Sequence, residues 1–294
     1  MNRRSIKLKL VVALAGLAVA CAAHAQKKEA AAPAKAAPQN KKTAASATRD
    51  AVTAEFEKFR EVMEDASPAE LFEARGEALW KAKRGPKNAS LEQCDLGLGA
   101  GVLKGAYARL PRYFKDADRV MDLETRLLHC MTTLQGRSRE EATKRVFGNE
   151  SRPSEMEYLS AYIAAQSSGV KMAPGGAHPK EKAAYALGKA LFFHRTGAWD
   201  FSCASCHGEE DKRIRMQELP VLANPRDAQP VVSTWPAYRV SNSQFKTMQW
   251  RINDCYRQMR MPEPTFASDA TIAMNMFLAT TGKGEPYRGP GTKR

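Results

Sequence analysis

Residues 203–207, Cys-Ala-Ser-Cys-His, restrict what this chain can fold into more than any other stretch. Cys-x-x-Cys-His is the attachment signature of c-type haem, in which both cysteines form thioethers and the histidine coordinates iron. A zinc site would need a second ligand pair of similar spacing, which the sequence lacks. A thioredoxin-like pair would follow a strand, whereas the flanking pattern here is helical. The motif predicts a c-type cytochrome that holds one covalent haem c through Cys203, Cys206 and His207.

The N-terminus has the pattern of an export signal. Basic residues at positions 3, 4, 7 and 9 precede an apolar run that ends in the cleavage pattern Ala23-His24-Ala25. We expect residues 1–25 to be a signal peptide, cleaved near Ala25, and the mature protein to be periplasmic. Residues 26–50 consist mainly of Ala, Lys and Pro, and we expect them to form a disordered linker.

The chain is strongly basic. Its formal net charge is +14, and the leader accounts for four of the positive charges, so the mature chain carries +10. Such a charge favours anionic substrates or an acidic partner protein. We expect no nucleic-acid partner, because no recognition motif is present. We also expect no membrane span, because no stretch after the leader is long and apolar enough.

An internal repeat organises the rest of the chain, which has a helical pattern with few strand signals. Residues 76–85 align without a gap with residues 188–197, immediately before the haem motif. The alignment predicts a mainly α protein with two tandem cytochrome c-like domains. We place the first domain at residues 51–170 and the haem-binding domain at residues 171–294.

The first copy of the repeat lacks the groups that bind haem. Cys94 aligns with the second cysteine of the motif, but Leu91 stands where the first cysteine would be and Asp95 where the histidine would be. Without that cysteine and that iron ligand, this copy cannot hold haem in the usual way. The sequence therefore predicts a degenerate, haem-free first domain.

A second correspondence lies further along each copy, where Arg126 and Cys130 align with Arg251 and Cys255. In the first copy, Cys94 and Cys130 would flank a haem that is absent. We expect them to form a disulfide in an oxidising compartment, the alternative being two buried free thiols. Cys255 is then the unpaired cysteine of an exported protein, which calls for a functional explanation.

Several residues compete to be the second axial ligand of the haem. A c-type cytochrome commonly uses a methionine, and Met248, Met259 and Met261 are candidates. His194 is another candidate, although its helical context favours packing or exposure. Cys255 competes because the repeat places it opposite the attachment site.

The residues around Cys255 are candidates for an anion site. Arg251 lies one helical turn before Cys255, and Arg239, Arg257 and Arg260 are close in sequence. Guanidinium groups suit an oxyanion, and we expect them to favour the thiolate form of Cys255. The alternative is a solvated basic helix.

These features together resemble the SoxA family, the larger subunit of the SoxAX cytochromes of thiosulfate oxidation. The resemblance covers most of the mature chain in several ordered blocks. The blocks are CDLGLG at 94–99, GAYARLPRY at 105–113, DRVMDLE at 118–124, DFSCASCH at 200–207 and RINDCYRQM at 251–259. Because Leu91 and Asp95 replace haem-binding residues, the chain resembles the single-haem members.

The resemblance implies a reaction and site roles. It implies an L-cysteine S-thiosulfotransferase that joins thiosulfate oxidatively to a cysteine of the carrier SoxYZ, forming an S-thiosulfonate. Two electrons would pass to the small haem subunit SoxX, as a heterodimer partner, and on to a soluble cytochrome. His207 and Cys255 would ligate the iron, with Cys255 present as a persulfide at the active site. Arg251 would bind the substrate anion.

Two other functions remain open on the sequence alone. One is a plain periplasmic electron-transfer cytochrome with His/Met ligation. The other is a haem peroxidase or sensor with an open distal position.

Overall fold

The computed structural model describes residues 67–148, 152–214 and 217–293, together with Glu55, Lys58 and Val62. The predicted signal peptide (1–25) and linker (26–50) lie outside the described residues, as does most of the start of the first predicted domain. In the part of the chain that is described, no helix combines the length and the apolar character needed to cross a membrane.

The fold is mainly helical, as the sequence predicted. Most helices among the described residues have a short polar residue at the N-cap position. The side-chain oxygen of that residue accepts a hydrogen bond from a backbone amide of the first turn. The helices are α1 (Ala69–Lys81), α2 (Leu123–Thr133), α3 (Arg139–Thr143), α4 (Glu155–Ala165), α5 (Pro179–Phe193), α6 (Cys203–His207), α7 (Pro225–Val232), α8 (Met248–Gln258) and α9 (Asp269–Thr281).

The strands are short, two or three residues each, which agrees with the scarcity of strand signals. Strands β1 and β2 form an antiparallel hairpin, as do β3 and β4, and β5 pairs antiparallel with β6 and parallel with β7. The strands are β1 (Arg112–Phe114), β2 (Arg119–Met121), β3 (Arg213–Ile214), β4 (Gln217–Glu218), β5 (Ala237–Arg239), β6 (Gln244–Lys246) and β7 (Gly291–Lys293).

The aligned glycines of the repeat occupy equivalent helix crossings. Helix α1 packs against α4, and α5 packs against α9. A Cβ atom on Gly76 would lie 2.0 Å from the Tyr158 carbonyl oxygen, and one on Gly188 would lie 1.9 Å from that of Ala273. Both crossings are so close that only glycine, which has no side chain, fits there.

A hairpin followed by a helix also occurs twice, at a constant spacing. Strands β1 and β2 and helix α2 begin at residues 112, 119 and 123, whereas β5, β6 and α8 begin at 237, 244 and 248. Each element of the second set therefore begins 125 residues after its counterpart. The same spacing relates Arg126 to Arg251 and Cys130 to Cys255, so these pairs hold equivalent positions on equivalent helices.

The two halves of the chain pack together, and residues 52–294 form one compact unit. Buried polar contacts cross between the halves. Lys246 Nζ lies 2.6 Å from Glu157 Oε1, and Gln249 Nε2 donates to Asp122 Oδ2 at 2.7 Å. Unlike separate modules, the halves share a buried interface, and the assignment of two domains at 51–170 and 171–294 stays a prediction.

Candidate functional site

Helix α6 presents the three residues of the haem motif. Ser202 begins the helix with a capping box, because its side chain accepts from the Ser205 amide while the Ser205 side chain accepts from the Ser202 amide. Cys203 and Cys206 are free, partly buried thiols. Positions three and four residues apart lie on one helix face, so Cys203, Cys206 and His207 point to a common side.

The imidazole of His207 has the tautomer that a metal ligand needs. Its Nδ1 lies 2.9 Å from the carbonyl oxygen of Pro220, and a carbonyl can only accept, so Nδ1 carries the proton. Burial lowers the pKa of His207, which keeps the ring neutral. Nε2 therefore keeps its lone pair for a metal, and the Pro220 carbonyl orients the ring from behind.

The surroundings of these three residues suit a large apolar cofactor. Cys203 packs against a buried cluster that includes Phe192, Trp235 and Tyr256. Burial, the largest cause, raises the pKa of Cys203 to about 12. Two free thiols and a neutral imidazole at haem-motif spacing, with Cys203 against an apolar cluster, fit covalent haem c.

Helix α8 carries Cys255, the third free cysteine among the described residues. Thr247 caps the helix by accepting from the Trp250 amide at 3.2 Å. Cys255 lies within electrostatic range of both Cys203 and Cys206. The structure therefore brings together the three cysteines that the sequence predicted to share one site.

The arginines favour the thiolate of Cys255, as expected, but they do not determine the net shift in the pKa of the free thiol. Burial, the largest cause, raises the pKa of Cys255, and Asp254 adds to this. Arg251 and Arg239 act in the opposite direction but do not outweigh burial. The desolvation of a thiolate in an apolar site costs more than nearby cations return.

Arg251 lies on α8 at the edge of the site, with its side chain 28% exposed. Its Nη1 is 2.9 Å from Asp254 Oδ2. The same carboxylate accepts from Arg257 at 3.1 Å and from Gln258 at 2.8 Å. Asp254 thus holds Arg251 in place and leaves its other guanidinium N–H groups available.

The first half of the chain contains the predicted disulfide. Cys94 and Cys130 are bonded, with their Cα atoms 5.7 Å apart, which confirms the pairing inferred from the repeat. Asp95, at the position of the motif histidine, accepts from the amides of Gly97 and Gly99 at 2.6 and 2.9 Å. The carboxylate therefore stabilises a turn.

The competing axial ligands have different positions. Met248 and Met261 are buried in the cluster that Cys203 contacts, and Met259 is partly buried against it. His194 lies at the C-terminal end of α5 and is exposed. Exposure makes His194 a poor candidate, whereas the methionines lie in the same cluster as the motif.

One contribution to the site was not predicted from the sequence. It is the Pro220 carbonyl, a backbone acceptor 13 residues after His207 that no side-chain motif announces. Arg239, which the sequence named as a candidate for the anion site, lies at the end of β5 within electrostatic range of Cys255.

This fold and this motif define a c-type cytochrome. The sequence profile described as "SoxA/TsdA, cytochrome c domain" matches residues 75–172. The L-cysteine S-thiosulfotransferase subunit SoxA of Hydrogenophilus thermoluteolus is 51% identical over 242 residues, covering 81% of this chain and 87% of that protein. The chain belongs to the SoxA family.

Two further comparisons agree. The SoxA subunit of Hydrogenobacter thermophilus is 36% identical over 228 residues, covering 77% of this chain and 82% of that one. The crystal structure of SoxXA from P. pantotrophus superposes with a TM-score of 0.66 at 23% identity, covering 81% of this chain and 84% of that chain. The superposition supports the fold alone.

Proposed function

We propose that this chain is the SoxA subunit of an L-cysteine S-thiosulfotransferase. The observation that carries the proposal is the position of Cys255, which lies within electrostatic range of both cysteines of the haem motif and one helical turn from Arg251. Relatives that match most of this chain are named as SoxA subunits of that enzyme. A plain electron carrier would not need a cysteine and an arginine in this arrangement.

The proposed reaction joins the thiol of a carrier-protein cysteine to thiosulfate. A sulfur–sulfur bond forms to give an S-thiosulfonate, and one proton and two electrons are released. The carrier is SoxYZ-like, and the electrons leave to a SoxX-like small cytochrome subunit and a soluble cytochrome. The basic charge of the chain suits an anionic substrate.

The cofactor of the proposal is one haem c. Cys203 and Cys206 would attach it, and His207 and Cys255 would ligate its iron. When bound, it supplies a one-electron redox centre beside the reacting sulfur. The support is the neutral His207 ring with a free Nε2 and the two adjacent free thiols.

The protein side chains would have two roles in the chemistry. Cys255, carried as a persulfide, would supply the nucleophilic sulfur at the active site. A persulfide is more acidic than a thiol, so it ionises at a buried position where the thiol does not. Arg251 would bind the sulfonate end of the substrate with the N–H groups that Asp254 leaves available.

The first half of the chain would be a haem-free cytochrome c-like domain. Three observations support this: the equivalent helix crossings at Gly76 and Gly188, the 125-residue hairpin spacing, and the match of the family profile to residues 75–172. The Cys94–Cys130 disulfide consumes both cysteines that would flank a haem there. A cleaved signal at residues 1–25, the linker 26–50 and a periplasmic location complete the proposal.

The test is a Cys255→Ala variant of the haem-loaded protein, assembled with its small cytochrome subunit and supplied with carrier and thiosulfate. We expect thiosulfate-dependent reduction of the soluble cytochrome to fall at least about 100-fold, as for loss of a nucleophile. Intact mass should still show one haem, and the wild-type peptide containing Cys255 should carry extra sulfur. Turnover close to wild type would instead favour the electron-carrier function with a methionine ligand.

A further inference from the structure

Arg239 ends strand β5 beside the site and has unused hydrogen-bonding capacity. It lies within electrostatic range of Arg251, Asp254 and Cys255. Its Nε is enclosed and has no hydrogen-bond partner among the described residues. Its Nη2 makes a long contact of 3.5 Å with Ser241 Oγ. Because a buried N–H without a partner costs free energy, this donor points to a ligand.

Arg239 is the partly buried arginine of this region that has no salt bridge among the described residues; Arg260 also lacks one but is exposed. Arg251 is paired with Asp254, and Arg257 is paired with Asp254 and with Glu263 at 3.4 Å. No salt bridge to Arg239 occurs within the described part of the chain. Burial lowers the pKa of Arg239 and the neighbouring Arg251 lowers it further, whereas Asp254 acts in the opposite direction. Asp254 is already paired with Arg251 and Arg257, so its single negative charge does not balance the three guanidinium groups within its range.

In the first half of the chain, the equivalent hairpin and helix hold an arginine whose charge is neutralised by a carboxylate. Arg126, the counterpart of Arg251, is 4% exposed and reaches both carboxylate oxygens of Asp116 at 2.9 and 2.7 Å. Its guanidinium lies 4.2 Å above the ring of Phe114. The first half thus buries its arginine between a neutral aromatic ring and a carboxylate, so its charge is paired and shielded from solvent.

The second half has different residues at both of these positions. At the 125-residue spacing, Arg239 takes the place of Phe114 and Ser241 takes the place of Asp116. A second cation therefore replaces the aromatic ring, and a hydroxyl replaces the carboxylate. Both changes convert a closed ion pair into an open site with excess positive charge.

We propose that Arg239 and Arg251 form a two-arginine clamp for a dianion next to the sulfur of Cys255. Arg251, held by Asp254, supplies oriented donors, and Arg239 supplies the unbalanced charge together with its free Nε–H. Guanidinium groups bind planar pairs of oxygen atoms, as a sulfonate presents. The identity of the dianion as thiosulfate rests on the function proposed above.

The test uses the haem-loaded complex and two variants that act on the clamp from different sides. Arg239→Gln removes the second cation, and Ser241→Asp supplies the carboxylate that Asp116 provides in the first half. We expect each variant to raise the KM for thiosulfate roughly 10- to 100-fold, with a smaller effect on kcat. Arg139→Gln, at an exposed position on α3 with the same change of charge, is the control and should leave both constants unchanged.

A binding measurement supplies a readout that does not depend on turnover. Sulfate is an unreactive dianion whose binding to the haem-loaded protein can be measured by calorimetry. Its affinity should fall in both variants by a factor similar to the rise in KM. The haem absorption spectrum should stay unchanged. Wild-type sulfate affinity in Arg239→Gln, or an equal loss in Arg139→Gln, would overturn the clamp. If Arg239→Gln does not fold, Ser241→Asp decides alone, because that position is exposed.

The two proposals fail in different ways. Retained turnover in Cys255→Ala would remove the enzymatic function, but loss of sulfate binding in Arg239→Gln would still establish the clamp. Conversely, an inactive Cys255→Ala combined with normal sulfate binding in Arg239→Gln would leave the function intact and exclude Arg239 from the site.

Discussion

Removal of the Cys94–Cys130 disulfide should destabilise the protein by an amount that can be worked out from its loop. The two cysteines are 36 residues apart in sequence, and the bond restricts the unfolded chain. In the chain-entropy treatment, a loop of that size corresponds to about 13 cal/mol/K, or about 4 kcal/mol at 25 °C. Both cysteines are almost fully buried, so replacement by alanine adds a packing loss of about 1 kcal/mol.

The assay is urea unfolding of the haem-loaded protein followed by far-UV circular dichroism. The Cys94→Ala/Cys130→Ala double variant should unfold with a free energy about 4–5 kcal/mol below that of the wild type. Wild type unfolded in the presence of a phosphine reductant should lose about 4 kcal/mol by the same entropic route. The reductant should have no effect on the double variant, which is the internal control.

Two outcomes would refute this reasoning. A double variant within about 1 kcal/mol of the wild type would show that the loop is already restricted in the unfolded chain. A reductant effect on the double variant equal to that on the wild type would show that the reductant acts elsewhere in the molecule. The remaining Cys255 is the thiol to examine in that case.

Two further predictions concern buried positions. Gly188→Ala should lower the free energy of unfolding by about 3 kcal/mol, because the new Cβ would meet the Ala273 carbonyl oxygen. The control Gly176→Ala, whose new Cβ would have no atom within 4 Å, should change that free energy little. Equal effects of the two variants in thermal unfolding would contradict the helix-crossing argument. Burial, reinforced by a neighbouring carboxylate, raises the pKa of Glu124 from 4.5 to about 8. An acid whose pKa is higher in the folded than in the unfolded protein contributes stability that is fully present below the unfolded pKa. The stability of the fold should therefore fall as pH rises from about 4.5 to about 8. Glu124→Gln should flatten this pH dependence in urea titrations, and the exposed control Glu140→Gln should not.

The sequence was most informative where chemistry depends on local spacing. Haem attachment needs two cysteines and a histidine within one helical turn, so residues 203–207 indicated the class of protein before any fold was known. The ungapped repeat placed Cys94 and Cys130 at corresponding positions around an absent haem, and the structure confirms their bond. Covalent and spacing constraints of this kind do not depend on how distant segments pack.

The sequence was incomplete where burial and distant partners decide the outcome. The adjacent arginines favour a thiolate at Cys255, as expected, but burial outweighs them and raises the pKa of that thiol. Desolvation depends on which segments cover a group, and these come from several parts of the chain. The methionine candidates could not be separated from Cys255 for the same reason, because their distances to the motif depend on tertiary packing.

By itself the sequence therefore determined the haem motif, the helical class, the internal repeat and the disulfide pairing. Only the tertiary structure decided that the halves share a buried polar interface, in which Lys246 meets Glu157 from 89 residues away. It also decided that Asp254 engages Arg251, and that Arg239 lies beside them without a carboxylate partner among the described residues. The physical reason is that spacing within a turn follows from local backbone geometry, whereas charge balance and desolvation depend on segments that meet only after the chain has folded.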